Sequence, residues 1–130
     1  MEMKLELVVI PVSDIDAAID FYVNKVGFNL DQDVKVNDDL RFIQLTPPGS
    51  ACSIAFGKGI AEFGEGVTEK VQPGSVKGLQ VVIDDAKKAR EYLVSRGVDA
   101  SEVQEFPWGN FTFFNDPDGN RWSYQQIVRK

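Results

Sequence analysis

The first question for this chain is which side chains could do chemistry, and the answer begins with an absence. The 130 residues include no histidine. Histidine is the commonest metal ligand and the usual general base near neutral pH. Its absence excludes Ser-His and Cys-His nucleophiles and His-based zinc or iron sites within one chain. The single cysteine, Cys52, has no imidazole to activate it and reads as a small hydrophobe. The carboxylates fall mostly on expected caps and turns. Asp84-Asp85 reads as a helix cap, with no third carboxylate at ligand spacing. Two groups remain. Phe106-Pro107-Trp108-Gly109-Asn110-Phe111 is an aromatic loop entering a strand. It reads either as the wall of a small-molecule cavity or as core or interface packing. Gln44, Gln80, Gln125 and Gln126 put amides into strands, where one or two could bond a ligand.

Composition narrows the partners. The net charge is −6 and the pI about 4.6. That argues against nucleic acid, whose phosphates need clustered Lys and Arg, and disfavours anionic membrane surfaces. No apolar run approaches the ~20 residues of a membrane helix, and the N-terminus lacks the layout of a signal peptide. A lone cysteine cannot close an intramolecular disulfide, so a reducing cytoplasm is the expected location.

The elements that must position these side chains are marked by punctuation. Leu5 to Val12 reads as a strand. Ser13-Asp14-Ile15-Asp16 opens a helix running to about Val26, and Gly27 ends it. Phe28 to Lys35, Leu40 to Thr46 and Ala51 to Phe56 read as strands. Gly57 to Lys77 reads as a linker, expected to be the least ordered internal segment. The series then restarts: strand Gly78 to Ile83, cap Asp84-Asp85, helix Ala86 to Arg96, and Gly97. Strands follow at Val98 to Val103, Asn110 to Asn115 and Trp122 to Val128. Asp116-Pro117-Asp118-Gly119 has the residues of a tight turn between the last two.

This is a tandem repeat. Leu7 to Lys25 overlays Gly78 to Arg96 at an offset of 71, which matches Asp14 with Asp85. Phe42 to Ile54 overlays Thr112 to Tyr124 at an offset of 70, which matches Pro47 with Pro117, Gly49 with Gly119, and Ser53 with Ser123. Each copy reads β-α-β-β-β. The expectation is one α+β domain over residues 1–130, with module one at about 5–56, the linker at about 57–77 and module two at about 78–128. In strand register, Phe111 and Phe113 share one face, and Trp122 and Tyr124 lie on the face opposite Ser123.

Three signatures carry a resemblance: Val9-Ile10-Pro11-Val12-Ser13-Asp14, Phe21-Tyr22 before Gly27-Phe28, and Phe114-Asn115-Asp116-Pro117-Asp118-Gly119-Asn120. In this order they resemble the vicinal oxygen chelate superfamily of glyoxalase I, bleomycin-resistance proteins and extradiol dioxygenases, over about residues 5 to 128. The resemblance implies two modules curling a partly open mixed sheet around a cavity, usually within a homodimer. It also implies metal ligands on the first and last strands of each module, typically His or Gln, then Glu. Counted by the motifs, those positions are Leu7, Ser53, Gly78 and Ser123, with Gln80 replacing Gly78 if the register slips by two. Leucine and glycine cannot coordinate, and lone serine hydroxyls are poor ligands for divalent cations. The expectation is therefore a metal-free, cofactor-free site for a small apolar or aromatic molecule. Its candidate residues are Leu7, Ser53, Gly78, Gln80, Ser123, Trp108, Phe111 and Phe113. The rival is an enzyme of the same superfamily, either a metal-dependent lyase or dioxygenase, or a metal-free isomerase using Gln, Tyr or carboxylate groups.

Overall fold

Both expected helices begin where an aspartate can cap them. In the computed structural model, which describes residues 1–60 and 72–128, Asp14 accepts from the Ala17 amide at 3.0 Å and Asp85 from Lys87 and Lys88 at 3.0 and 3.1 Å. Each carboxylate thus satisfies amides that the first turn leaves without partners. The elements are β1 (Leu7–Val9), α1 (Ile15–Ile19), a π-helical stretch (Asp20–Val26), β2 (Asn29–Asn37), β3 (Leu40–Thr46) and β4 (Ser53–Lys58). They continue with β5 (Leu79–Val82), α2 (Ala86–Ser95), β6 (Gln104–Phe106), β7 (Gly109–Asn115) and β8 (Arg121–Gln126). The expected first helix therefore changes winding halfway. The wider turns bury the adjacent pair Phe21 and Tyr22 together with Val26.

Each module makes its own four-stranded sheet, ordered β1-β4-β3-β2 and β5-β8-β7-β6. The β1–β4 and β5–β8 pairs are parallel and the others antiparallel. This is the α+β, tandem β-α-β-β-β architecture that the repeat implied. One core serves both modules. Ile10, Tyr22, Ile43, Leu45, Phe56 and Leu93 are fully buried, alongside Phe114 and Trp122. At ~1.5–3 kcal/mol per buried large apolar side chain, this shared core is the main force joining the halves.

A polar clamp crosses the same interface. Asp116, buried in the β7–β8 turn, accepts from the Tyr22 hydroxyl at 2.7 Å and from the Asn120 amide at 2.8 Å. Its other oxygen takes the backbone amides of Asp118 and Asn120 at 3.0 and 2.9 Å. Asn120 also donates to the Pro11 carbonyl at 2.9 Å, and Trp122 Nε1 to the Tyr22 hydroxyl at 3.0 Å. Burial first, and then Asp116, push the Tyr22 phenol above its ordinary range, so it remains a donor. Arg96, the C-cap of α2, donates to the Asn24 and Lys25 carbonyls at 2.6 and 2.9 Å.

Three details correct the sequence reading. Residues 98–103 form no strand; the short β6 starts at Gln104. Ser101 instead binds β7 through backbone and side chain together, with its amide on the Phe113 carbonyl at 2.8 Å and its hydroxyl accepting from the Phe113 amide at 3.0 Å. Gly57 and Lys58 belong to β4 rather than to the linker, and residues 61–71 of the expected 57–77 linker lie outside the described residues. Third, the constant offset of 70 breaks at the turns. Gln44 faces Ala55 across its hairpin, and Phe111 faces Gln125 across the other. Gln44 and Thr46 therefore correspond to Phe111 and Phe113, although Ser53 still corresponds to Ser123. Three more residues lie between Phe113 and Ser123 than between Thr46 and Ser53, and this longer stretch carries the clamp.

Candidate functional site

The inner faces of both sheets pack on the helices, so the outer faces are where a ligand could bind. On module one, Ser53 at the start of β4 lies beside Leu7 of β1. Its hydroxyl accepts from Gln44 Nε2 at 3.1 Å and lies 2.7 Å from the Thr46 hydroxyl. Thr46 in turn donates to Asp31, which also accepts from Asn29 at 2.7 Å. An ionised carboxylate only accepts. The relay is therefore ordered: Gln44 donates to Ser53, Ser53 to Thr46, and Thr46 to Asp31.

On module two the same location is chemically different. Gln80 of β5 lies beside Ser123 of β8, and Phe113 lies opposite Ser123. The first-strand position matching Leu7 is thus Gln80. Gly78 precedes β5, at φ +88°. Gln80 donates to Gln125 at 2.6 Å, and Gln125 to the Trp108 carbonyl at 3.0 Å. Ser123 is 9% exposed, yet its hydroxyl has no hydrogen-bond partner among the described residues. No enclosed side-chain nitrogen or oxygen among them is unpartnered, so this hydroxyl opens onto accessible space.

Around Ser123 runs an aromatic row. Phe111 and Phe113 stack at 5.6 Å, Phe106 meets Phe111 edge-on at 5.7 Å, and Trp108 stacks on Phe106 at 5.3 Å. Arg121 covers Phe113, its guanidinium 4.7 Å from the ring centroid. A groove of about 550 Å³ runs from Ser53 to Gln80 and is also lined by Leu5, Pro47, Pro48 and Gly78.

The donor set does not suit a divalent metal. Leu7 has no lone pair and Ser53 is committed to its relay, which leaves Gln80, whose amide nitrogen is on Gln125, and Ser123 as neutral oxygen donors, a poor set for a divalent cation without carboxylates. Among the described residues, no three His, Cys, Asp or Glu side chains cluster at ligating distance. Sequence reading named Gln44 as a possible contact and missed Asp31, Thr46 and Arg121. Its misplaced offset had hidden that Gln44 and Thr46 flank Ser53.

Two β-α-β-β-β modules sharing one core, with first- and last-strand residues paired on each outer face, define a paired-module binding scaffold. The chain belongs to the glyoxalase/bleomycin resistance protein/dioxygenase superfamily, whose model matches residues 4–124. It is similar to TnmS3, an antibiotic binding protein from a Streptomyces species, at 32% identity, TM-score 0.81 and 98% coverage of both chains. A glyoxalase/bleomycin resistance protein from Streptomyces gives 33% identity and TM-score 0.75 over 95% of this chain and 100% of that one. A superfamily member from Sphaerobacter thermophilus gives 30% identity and TM-score 0.76 over 95% and 97%.

Proposed function

We propose that this protein binds a small, ring-containing organic molecule on the outer face of its sheets without a metal, as a cytoplasmic homodimer. The observation that carries the reading is the Ser123 hydroxyl, without a partner among the described residues, beside Phe113 at the end of the aromatic row of Phe106, Trp108, Phe111 and Phe113. Stacked rings favour a flat apolar ligand, and one unpaired hydroxyl fixes its orientation. The antibiotic-binding relative supports the ligand class. Exposed Val34, Val36, Val82 and Trp108 leave apolar surface on the outer elements that a second copy would cover. Light scattering at micromolar concentration should give a dimer mass.

The binding test is calorimetric titration with bleomycin and a panel of ring-containing antibiotics. Wild-type protein should bind at least one member of the panel, and Ser123→Trp and Phe113→Ser should each weaken binding at least tenfold. Binding that neither substitution alters would reject the outer face as the site. Purified protein should contain no stoichiometric nickel, zinc or iron by elemental analysis.

A further inference from the structure

A second cavity lies on the helix side of β5, away from the aromatic row. It is an open-mouthed space of about 430 Å³ bordered by Phe28, Val81, Ile83, Ala89, Tyr92 and Tyr124. That volume is within the ~300–1,000 Å³ usual for small-molecule pockets. Lys88, Asp84 and Asp85 also line it, and Asp85 is already occupied in capping α2. These opposite charges leave no single sign to select an ion.

The informative residue is Tyr124. It is only 7% exposed, and its hydroxyl has no hydrogen-bond partner among the described residues. No enclosed side-chain oxygen there is left unpartnered, so this hydroxyl ends in accessible space, and the cavity is the space that Tyr124 lines. Tyr22 shows the alternative, since its buried hydroxyl both donates and accepts. The equivalent of Tyr124 in module one is Ile54, which packs in the same core layer with no polar atom. In a side chain otherwise buried, the hydroxyl is the one polar atom presented to the cavity wall by Tyr124, free to donate to whatever occupies the space. Burial, reinforced by the Tyr92 phenol, pushes Tyr124 above its ordinary range. It is therefore a neutral donor.

We infer that this cavity is a second binding site, for a neutral ring-containing molecule whose carbonyl oxygen accepts from the Tyr124 hydroxyl. Its ring system lies between Phe28, Val81 and Ala89, and Tyr92 closes one side.

The naphthyl ketone dye 6-propionyl-2-(dimethylamino)naphthalene tests the site directly, because its emission reports both apolar burial and hydrogen bonding at the carbonyl. Titrated into the full chain, it should bind saturably with blue-shifted emission. Tyr124→Phe should weaken binding about fivefold and shift the bound emission further to the blue. Ala89→Phe, which fills the cavity, should abolish the saturable component, and Phe113→Ser on the outer face should leave it in place. The inference falls if there is no saturable binding, if Tyr124→Phe binds like wild type, or if Phe113→Ser abolishes the signal. It falls equally if Ala89→Phe converts a dimer to monomers by light scattering, since a second copy would then be the occupant. If Ala89→Phe does not fold, the conservative Tyr124→Phe decides alone.

Discussion

Gln44, Thr46 and Ser53 of module one stand where Phe111, Phe113 and Ser123 stand in module two. The backbone plan is the same, and so is the serine. In module one its two neighbours can hydrogen-bond, and they draw the hydroxyl into a relay ending on Asp31. In module two the β7 neighbours are phenyl rings and Gln80 of β5 donates to Gln125 instead, so the hydroxyl has no partner among the described residues. The strands beyond differ as well: β2 has nine residues and β6 three. The comparison teaches that a residue's availability for binding is set by its cross-strand neighbours, not by its own identity. The repeat has kept the scaffold and divided the outer surface into a polar half and an aromatic half.

The sharpest difference between the modules lies in their β-hairpin turns. Asp116 opens the β7–β8 turn and has four hydrogen bonds, two of them to groups buried with it. Asp116→Ala strands the Tyr22 hydroxyl and the Asn120 amide and should cost about 3–4 kcal/mol in urea unfolding. Ser50→Ala, in the exposed turn of module one, should cost under ~1 kcal/mol. Comparable costs would mean that the clamp does not join the modules.

The two serines give the next contrast. Ser53→Ala removes the middle of the relay and should cost about 1 kcal/mol by thermal unfolding. Ser123→Ala should fall within ~0.5 kcal/mol, since its hydroxyl has no partner among the described residues. A larger cost at Ser123 would show that its hydroxyl has a partner after all.

The smallest effect separates the modules' ion pairs. Arg41 binds Asp33 and Asp16, both at 2.9 Å, and is itself mostly covered. The Arg41 hydrogen bonds hold the Asp33 carboxyl below its usual range. A lowered folded pKa gives stability that is present above the ordinary carboxylate range and lost as pH falls through and below it. Asp33→Asn should remove ~0.5–1 kcal/mol at neutral pH and flatten the acid limb of the stability profile. Glu102→Gln in module two should change stability at neutral pH by less than ~0.5 kcal/mol, because Glu102, paired with Arg90 at 3.3 Å, is 88% exposed.

Local chemistry made much of this molecule legible from sequence. Asp14 and Asp85 cap helices because a carboxylate one residue before a helix meets free amides whatever the surroundings. The alternation of Phe111 and Phe113 against Thr112 and Phe114 follows from the strand period. The failures occurred where the local signal was degenerate. Ser101 reaches β7 through its hydroxyl, and a β-rich composition cannot announce that. The first strand of module two could be placed at Gly78 or at Gln80 because both share a face; only pairing with Ser123 selects Gln80.

The sequence by itself determined the element types, the tandem repeat, the caps, and the exclusion of histidine chemistry. Each of these depends on residues close in the chain or on composition. Only the tertiary structure decided that Asp116 in one module holds Tyr22 of the other, that Ser53 is engaged while Ser123 has no partner among the described residues, and that Tyr124 borders a cavity. These depend on which strands lie side by side, and hydrogen bonds act over about 3 Å, across contacts whose partners the linear order does not specify.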